Sequence, residues 1–281
     1  MDAFEALKWG RAKLRLSQIH SFNIDALLVL QDAVSLTKEQ IYFEKNIINA
    51  KQLEIFQQNI IKRSQFVPVA KIIGNKNFYH DNFIVNCDVL DHRPDSEVLI
   101  EAFLAKYPDL NIAINILEIG VGSGCLSLTL LKLYPNIKIY GVDISEKALN
   151  IAKKNADKMM LSNRINLIQS DIFANISRDT KFDEIISNPP YIPTNDIKKL
   201  AKDLKYDPII ALDGGCDGMD FYREISAKSS KYLNDDGGII VEIGINQDET
   251  IKEIFANNNF NILNSYKDLN KIIRVLSFIK K

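Results

Sequence analysis

Apolar residues in the first quarter of the chain recur at helical spacing. Ala26, Leu30 and Val34 lie four residues apart, so that a helix would carry them on one face. Residues 51–63 hold a second stripe of this kind, formed by Leu53, Phe56, Ile60 and Ile61. The pattern predicts a small bundle of short helices over residues 1–66.

The period of the pattern shortens to two residues near position 66. The segments 71–74, which contains Ile72 and Ile73, and 83–85, which is wholly apolar, flank polar, turn-prone residues between them. Two short apolar runs separated in this way are typical of a β-hairpin. Residues 67–90 are therefore predicted to form a hairpin linker between two domains.

From residue 91 to residue 281, predicted strands and helices alternate. The strands fall at 114–119, 137–143, 165–169, 182–187, 239–243, 260–266 and 272–279, and the main helices at 125–134, 146–160 and 220–233. Such alternation indicates a mostly parallel, doubly wound α/β sheet. The last two strands are joined by a turn too short for a crossover helix, so they must pair antiparallel.

Composition narrows the class of protein without indicating a function. The 281 residues carry a net charge of −1 with an isoelectric point near 6.3, unlike the basic proteins that bind phosphate backbones. Cys87, Cys125 and Cys216 are too widely spaced for a metal or redox motif, and free thiols are expected. The first residues lack a signal-peptide pattern, and no apolar run approaches the ~20 residues of a membrane helix. We expect a cytoplasmic protein without a membrane partner.

A glycine-rich turn follows the first strand of the predicted sheet. Its residues are Glu118, Ile119, Gly120, Val121, Gly122, Ser123 and Gly124. Glycines at this position let the backbone approach a ligand, which then meets the N-terminus of the next helix. The spacing G-x-G-x-G differs from the dinucleotide pattern G-x-G-x-x-G and favours S-adenosylmethionine over NAD. A tight turn without a ligand is the alternative.

Residues after the next two strands support a cofactor site. Asp143 ends the second strand, where its carboxylate can accept hydrogen bonds from ribose hydroxyls, and Ile144 follows it. Asp171 and Ile172 follow the third strand and can flank an adenine ring. Glu118 is the candidate partner of the amino group of the methionine moiety. We expect these residues and the turn to bind S-adenosyl-L-methionine, with S-adenosyl-L-homocysteine as the product.

The tetrapeptide Asn188-Pro189-Pro190-Tyr191 follows the strand predicted at 182–187. Two successive prolines lack the N–H groups of a strand ladder, so the ladder ends here. The Asn188 side-chain oxygen and the Pro189 carbonyl can then accept both hydrogens of a substrate –NH2 group, and Tyr191 offers a flat face. These residues are the predicted catalytic site for methyl transfer to an amide or exocyclic amine nitrogen. Asn188 would also contact the cofactor. A plain strand-end turn is the alternative, and no metal is predicted.

Three further segments carry a resemblance to a known family. They are residues 68–74 with Phe78, Arg93-Pro94-Asp95-Ser96-Glu97, and 211–215 with Asp217-Gly218. With the glycine turn and the tetrapeptide, they make the chain resemble the bacterial PrmC/HemK peptide-chain-release-factor glutamine methyltransferases over nearly its whole length. The resemblance implies a Rossmann-like class I S-adenosylmethionine-dependent methyltransferase fold with a seven-stranded, mostly parallel sheet whose last strand is antiparallel.

The resemblance also implies a substrate and a partner. The methyl acceptor would be the side-chain amide nitrogen, N5, of the glutamine in the Gly-Gly-Gln loop of class 1 release factors. Residues 1–66 would engage the release factor, although a bundle that only stabilises the main domain is equally compatible with the sequence. Arg93, Pro94 and Glu97 would bind substrate together with the tetrapeptide; the alternative is that their segment only caps the helix after it.

The chain departs from the family pattern at one place. The family usually has Ile-Pro before the Arg-Pro-Asp segment, whereas this chain has Asp91-His92, and the family often has threonine where this chain has Ser96. The change adds polarity and removes a proline that stiffens the backbone. We expect a locally altered loop and retained activity; a tuned substrate pocket and an impaired enzyme are the alternatives.

Two other functions are compatible with the motifs. A nucleic-acid methyltransferase acting on exocyclic amines (DNA adenine or cytosine, or rRNA guanine) shares the tetrapeptide. It would need a basic, aromatic-rich recognition segment, which is not visible, so no direct nucleic-acid partner is expected. The second alternative is a catalytically inactive S-adenosylmethionine-binding module that serves protein interaction.

Overall fold

The computed structural model describes residues 1–281, which divide into two compact units. Unit one comprises Met1–Asn75 and Ala201–Tyr206, and unit two comprises Lys76–Leu200 and Asp207–Lys281. None of the helices combines the length and the apolar character that a membrane span requires.

Unit one is a bundle of helices, as the sequence predicts. The helices are α1 (Ala3–Leu16), α2 (Phe22–Val34), α3 (Lys38–Phe43), α4 (Ala50–Ser64) and α5 (Val69–Ile73). Three of them begin with a capping box, in which the cap side chain and the third helical residue bond each other's backbone N–H groups. The pairs are Asp2 with Glu5, Thr37 with Gln40, and Asn49 with Gln52.

The core of unit one forms where α1, α2 and α4 meet. Phe56 and Ile60 of α4 are fully buried, whereas Ile61 is 46% exposed. A Cβ atom on Gly10 of α1 would lie 2.6 Å from the Phe56 ring, so glycine permits the close packing of these two helices. A buried ion pair between Arg63 and Asp25, with Nε and Oδ2 2.7 Å apart, joins α4 to α2.

The segment 69–73 differs from its sequence-based prediction. Residues 71–74 were predicted to be a strand, but Val69–Ile73 form helix α5, which ends at Gly74 with a φ of 77°. The hairpin lies just after it, with β1 at Asn75–Phe78 and β2 at Asp81–Ile84. The strand prediction at 71–74 is therefore wrong, because a short apolar run has no periodicity that distinguishes a strand from a single helical turn.

Unit two contains the predicted sheet. Its strands are β3 (Asn115–Ile119), β4 (Lys138–Asp143), β5 (Ile165–Gln169), β6 (Phe182–Ser187), β7 (Leu233–Glu242), β8 (Phe260–Lys267) and β9 (Ile273–Lys280). They lie in the order β5-β4-β3-β6-β7-β9-β8. All pairs are parallel except β7 with β9 and β8 with β9. The prediction of seven strands with the last one antiparallel is confirmed.

Helices cover both faces of this sheet. They are α6 (Glu97–Lys106), α7 (Cys125–Leu133), α8 (Glu146–Lys158), α10 (Asp220–Ser229) and α11 (Asp248–Ala256), and a short helix, α9 (Thr194–Ile197), has no buried residue. Successive residues of β6 alternate between two cores, so that Ile185 packs with residues of α10 and α11 and Ile186 with residues of α6 and α7. A sheet that is buried on both faces explains why its strands read as nearly continuous apolar runs.

The fully buried Asn155 of α8 links the hairpin to the glycine turn. Its Oδ1 accepts a hydrogen bond from the Ile84 amide (2.7 Å), and its Nδ2 donates to the carbonyl oxygens of Ile84 (3.0 Å) and Ser123 (2.9 Å). Every hydrogen-bonding atom of this side chain group is thereby used. Such a satisfied polar network fixes the relative positions of the segments that it joins.

Candidate active site

The site lies at the carboxyl edge of the sheet, where β3 and β6 are neighbours. Ile119 and Ser187 are partners in the strand register, and Ser187 Oγ donates to the Ile119 carbonyl oxygen at 2.8 Å. Gly120 and Asn188 therefore leave the sheet side by side. The strand order reverses direction between β3 and β6, and open α/β sheets bind ligands at such a switch point.

One open pocket lies at this edge, with an empty volume of about 840 Å³ including its mouth. Several predicted site residues line it: Gly120, Gly122, Asp143, Ile144, Asp171, Ile172, Asn188, Pro189 and Pro190. Other predicted site residues lie outside its lining: Arg93, Pro94, Glu97, Glu118, Val121, Gly124 and Tyr191. The glycine turn and the tetrapeptide, which are far apart in sequence, thus share one cavity.

The glycine turn has a backbone that only glycine adopts readily. Gly120, Gly122 and Gly124 have φ angles of 76°, 55° and 81°. A Cβ atom on Gly120 would lie 4.0 Å from the Asn188 carbonyl oxygen, in the space between the two loops. A Cβ on Gly124 would instead lie 3.3 Å from a methyl group of Leu128. The first glycine keeps the cavity open, and the last allows close packing of the turn on α7.

Asp143 is held in a fixed position at the end of β4. Its Oδ2 accepts the Gly122 amide and its Oδ1 accepts the Ser145 amide, each at 2.9 Å. Burial raises the pKa of this carboxyl, and the backbone N–H groups around it oppose the rise. Each oxygen keeps a second lone pair that can accept a hydroxyl hydrogen from a ligand.

The pocket wall next to Asp143 is apolar with one polar edge. Ile144 is 46% exposed, and Ile172 is 5% exposed with a φ of 48°. A left-handed conformation is unfavourable for a β-branched residue, and Ser170 Oγ supports it by donating to the Ile172 carbonyl oxygen at 3.1 Å. Asp171, which lies between Ser170 and Ile172 in the sequence, is exposed. Two apolar side chains and a carboxylate suit a flat heterocycle with polar edges.

Glu118 is buried below the glycine turn. It is 1% exposed, and its Oε2 accepts hydrogen bonds from the amide and the hydroxyl of Ser127 in α7. Burial raises the pKa of Glu118 to about 8. The carboxyl is therefore poised to change its ionisation when a cation comes near it.

These residues fit S-adenosylmethionine. The side-chain-free surface of Gly120 leaves space for a ligand chain, Asp143 has oxygen lone pairs that can accept hydroxyl hydrogens, and Ile144 and Ile172 form apolar walls that suit a ring such as adenine. The chain also contains no group of three or more histidine, cysteine or acidic side chains that could hold a metal ion.

The tetrapeptide presents two free acceptors beside the cavity. The Asn188 side-chain nitrogen donates to Ser96 Oγ at 3.0 Å, which leaves its Oδ1 without a partner in the chain. The Pro189 carbonyl oxygen also receives no backbone hydrogen bond. Both residues line the pocket. The arrangement can bind a group that carries two N–H donors.

Tyr191 lies among core residues of unit two, not on the pocket wall. Its hydroxyl donates to Glu242 Oε1 at 3.4 Å, and its carbonyl oxygen accepts Gln247 Nε2 at 2.9 Å. Burial raises the pKa of the Tyr191 phenol far above its ordinary range. In this structure Tyr191 anchors the end of the tetrapeptide.

The segment that begins at Arg93 forms a 3-10 turn leading into α6. Arg93 Nη2 pairs with Asp207 Oδ2 at 3.2 Å, and Glu97 Oε1 accepts the Tyr79 amide of the hairpin at 2.8 Å. Ser96 is the member of this segment that contacts the tetrapeptide. The segment therefore organises the surroundings of the pocket without lining it.

The departure at Asp91-His92 is accommodated inside the fold. Asp91 Oδ1 lies 2.6 Å from Lys76 Nζ in an ion pair. His92 is 5% exposed, and its ring meets those of Phe78 and Phe83 edge-on, at centroid distances of 5.3 and 6.0 Å. Burial lowers the pKa of His92 to about 4, so the imidazole is neutral at pH 7. The two polar residues therefore take structural positions away from the pocket lining.

Sequence reasoning missed part of the pocket wall. Asp88, Val89 and Leu90 line it, and so do Ile210, Ala211 and Phe221. The first group follows an Asx turn in which Asn86 Oδ1 accepts the Asp88 amide at 2.9 Å. The sequence Asn-Cys-Asp after an apolar strand was an available turn signal.

Two known domain families match this chain in sequence. The PrmC N-terminal domain matches residues 5–74, and the methyltransferase small domain matches residues 78–207. A methyltransferase from Pyrococcus furiosus is similar in structure, with a TM-score of 0.51 and 20% identity, covering 80% of this chain and 97% of that one. This likeness shows the fold.

Curated relatives are similar over almost the whole chain. A release factor glutamine methyltransferase from Geobacter sulfurreducens is 35% identical over 275 residues, which cover 97% of this chain and 94% of that protein. A bifunctional methyltransferase from Rickettsia felis is 35% identical over 302 residues, covering 98% of this chain and 57% of that protein. The chain thus spans little more than half the length of this second relative. The resemblance inferred from the motifs is confirmed: the chain belongs to the release factor glutamine methyltransferase family.

Proposed function

We propose that the protein transfers a methyl group from S-adenosyl-L-methionine to the side-chain amide nitrogen, N5, of the glutamine in the Gly-Gly-Gln motif of class 1 peptide chain release factors. The observation that carries this proposal is the pair of free acceptors at Asn188 Oδ1 and the Pro189 carbonyl. A primary amide has two N–H donors and matches that pair. Family membership supports the same reaction.

The chain's contribution to the chemistry is orientation. An amide nitrogen is a poor nucleophile because its lone pair is delocalised into the carbonyl group. When both of its hydrogens are bound by Asn188 and Pro189, the nitrogen is held with its lone pair directed into the pocket and pyramidal geometry is favoured. The bound sulfonium cofactor would supply an electrophilic methyl group and leave as S-adenosyl-L-homocysteine, and the methylated nitrogen would release one of its protons to solvent. Preorganised acceptors of this kind need no reorganisation during the reaction.

We assign the remaining site residues to two groups. In the first group, Asp143 binds the ribose hydroxyls of the cofactor. The adenine ring is enclosed by Ile144, Asp171 and Ile172. Glu118, which lies below the glycine turn, is the partner of the amino group of the methionine moiety. Arg93, Pro94 and Glu97 act on the substrate side by fixing Ser96 and hence Asn188. The contacts of Arg93 with Asp207 and of Glu97 with Tyr79 support this indirect role.

We further assign recognition of the release factor to unit one. Several large apolar side chains there are exposed, including Leu16 (83%), Phe43 (86%) and Ile47 (71%). Exposed apolar side chains of this size suit a protein surface. Because class 1 release factors act on ribosomes, the proposed activity is cytoplasmic.

The test is methyl transfer from labelled S-adenosylmethionine to a purified class 1 release factor. The control is the same factor with its Gly-Gly-Gln glutamine replaced, and DNA and ribosomal RNA serve as parallel substrates. Label on the unaltered factor alone would support the proposal. Label on nucleic acid would favour the amine methyltransferase, and cofactor binding without any transfer would favour an inactive binding module.

A further inference from the structure

Asn188 can act as an acceptor only in one orientation of its side-chain amide. If the group turned by 180° about its last bond, the nitrogen would replace the oxygen beside the pocket. A substrate N–H group would then face another N–H group. The structure must therefore contain something that distinguishes the two ends of this amide.

Ser96 can distinguish the nitrogen from the oxygen of the Asn188 side chain only if the hydrogen of its own hydroxyl group is bound to another acceptor. Its Oγ accepts Asn188 Nδ2 at 3.0 Å, and Ser96 is 2% exposed. A serine hydroxyl can donate as well as accept, so with a free hydrogen it could equally donate to Asn188 Oδ1. An acceptor for the Ser96 hydrogen is needed to fix the direction of this bond.

Glu242, the last residue of β7, lies next to Ser96. It is 2% exposed, and after burial itself the Ser96 hydroxyl has the largest influence on the pKa of its carboxyl, which it lowers. Its Oε1 accepts the Tyr191 hydroxyl at 3.4 Å, whereas its Oε2 is buried and makes no hydrogen bond of normal geometry. A buried carboxylate oxygen that lacks a close partner will draw the nearest available donor. In its ionised form the carboxyl group cannot donate, so it can only receive the hydrogen of Ser96.

We propose that Glu242 is a positioning residue that orients the catalytic amide through Ser96. The carboxylate accepts the Ser96 hydrogen, Ser96 Oγ then accepts only from Asn188 Nδ2, and Asn188 Oδ1 remains directed to the substrate. The proposal rests on the proposed role of Asn188 in methyl transfer. No part of it requires Glu242 to contact the substrate or the cofactor, and Glu242 is not among the residues that line the pocket.

The ionisation of Glu242 makes this role dependent on pH. Burial raises its pKa to about 7, opposed by Ser96, Arg274 and Tyr191. The protonated acid could donate to Ser96 and so free the Ser96 hydrogen for Asn188 Oδ1. The ionisable groups around the carboxyl are Arg274 from β9, Asp95 from the 3-10 turn, Tyr191 from the tetrapeptide, Tyr222 from α10 and Cys125 from α7.

Glu184 of β6 is a matched control. It is also a fully buried glutamate in the sheet, and burial raises its pKa to about 7 as well. Its partners are Lys106 Nζ at 2.5 Å and the Tyr107 hydroxyl at 2.8 Å, and it has no contact with the tetrapeptide. Glu184→Gln thus reports the general effect of neutralising a buried carboxylate.

The experiment compares Glu242→Gln, Glu184→Gln, Ser96→Ala and the double variant Ser96→Ala with Glu242→Gln, each checked for folding by circular dichroism. A glutamine at 242 can donate to Ser96, so the direction of the Ser96–Asn188 bond is no longer fixed. We expect Glu242→Gln to lower kcat about tenfold or more, with the KM for S-adenosylmethionine unchanged. Glu184→Gln should retain wild-type kcat per folded molecule.

The double variant identifies the route of the effect. If Glu242 acts through Ser96, adding Glu242→Gln to Ser96→Ala should cause no further loss of kcat, whereas independent roles would give multiplying losses. Ser96→Thr keeps the hydroxyl and should retain most of the activity. The wild-type kcat should also fall as the pH drops through about 7, and this limb should be missing in Glu242→Gln and Ser96→Ala.

A second measurement does not depend on the substrate. Hydrogen exchange of the Asn188 side-chain NH2 group, followed by NMR of 15N-labelled protein, should be slow in the wild type because Ser96 binds it. Glu242→Gln should speed this exchange towards the rate in Ser96→Ala, and Glu184→Gln should not. Unchanged exchange in Glu242→Gln, or multiplying losses of kcat in the double variant, would overturn the inference. A wild-type protein that methylates no release factor but shows the exchange pattern would refute the proposed function alone.

Discussion

Gly214 lies so close to Pro190 that a Cβ atom at position 214 would come within 2.8 Å of the Pro190 carbonyl oxygen. The same atom would lie 2.8 Å from the Cα of Tyr191. The Gly214 amide also donates to the Ile192 carbonyl oxygen at 2.9 Å. The loop that contains Gly214 therefore supports the tetrapeptide by direct contact between the two backbones.

Gly214→Ala should displace the tetrapeptide and reduce turnover by about tenfold or more, because small misplacements of acceptors are costly in orientation-dependent catalysis. The measurement is kcat with a release factor as substrate. Gly74→Ala is the control, since a Cβ there meets nothing within 4 Å and its φ of 77° costs stability of about 1–2 kcal/mol without a clash. Equal kcat values for the two variants would show that position 214 tolerates a side chain.

Asn188→Ala removes one of the two proposed acceptors. Turnover should fall by about 10²-fold or more, the scale of a lost preorganised polar contact, while the affinity for S-adenosylmethionine stays nearly constant. Single-turnover kinetics and calorimetric titration measure the two quantities separately. Asn136→Ala removes a comparable amide contact at an exposed loop and should leave both unchanged. Normal turnover in Asn188→Ala would exclude the catalytic role of Asn188.

Cofactor affinity should depend on pH through Glu118. Burial raises the pKa of this carboxyl to about 8, so at lower pH it is protonated in the free protein. A bound amino group favours the ionised carboxylate, so cofactor binding must release the Glu118 proton. The cofactor affinity therefore falls by up to about tenfold for each pH unit below 8. Titrations with S-adenosylhomocysteine should show this slope in the wild type and a flat response in Glu118→Gln. A flat response in both the wild type and Glu118→Gln would show that Glu118 only holds α7 in place and does not contact the cofactor.

His92 should make the fold sensitive to acid. Its pKa is about 4 in the folded protein and 6.5 in the unfolded chain, so the unfolded state binds more protons between these values. Stability contributed by neutral His92 is complete above pH 6.5 and falls by roughly 3 kcal/mol as the pH drops to 4. Urea unfolding of wild type and His92→Leu over this range isolates the contribution. Parallel stability curves for the two proteins would contradict it.

Substitution of an exposed apolar side chain on unit one tests whether this unit recognises the release factor or only stabilises the rest of the chain. If unit one recognises the release factor, Phe43→Ser should raise the KM for that protein severalfold and leave the KM for the cofactor unchanged. Met160→Ser is the control, because Met160 is 88% exposed on unit two and Phe43 is 86% exposed. Identical kinetics for the two variants would favour a bundle that only stabilises the chain.

The sheet was predictable because its strands are buried on both faces and carry strong apolar runs. The predicted strands at 165–169 and 182–187 match β5 and β6 to the residue. β7 begins at Leu233 instead of 239, because Gly237 and Gly238 read as a break although the strand continues through them. The missed part of β7 pairs with β6 across an irregular register, which no single-strand pattern reveals.

The position of the candidate site was predictable where its motifs are local in sequence. The glycine turn and the tetrapeptide carry recognisable residues at the ends of strands, so their meeting at one sheet edge could be expected. Ser96 and Glu242 could not be linked from the sequence, since their relation to Asn188 depends on packing between distant segments. One signal was available: Glu242 is a carboxylate inside the apolar run 239–243, at the edge where ligands bind.

The contacts of Asn155 have a mechanical consequence. Any movement of the glycine turn at Ser123 must either break the bond to the Ser123 carbonyl or carry Asn155 with it. In the second case the two bonds to Ile84 break or the hairpin moves as well. The mobility of the glycine turn is thus coupled to the stiffness of a hairpin that does not line the pocket, and a substitution there would change how freely the turn moves without altering any contact in the cavity.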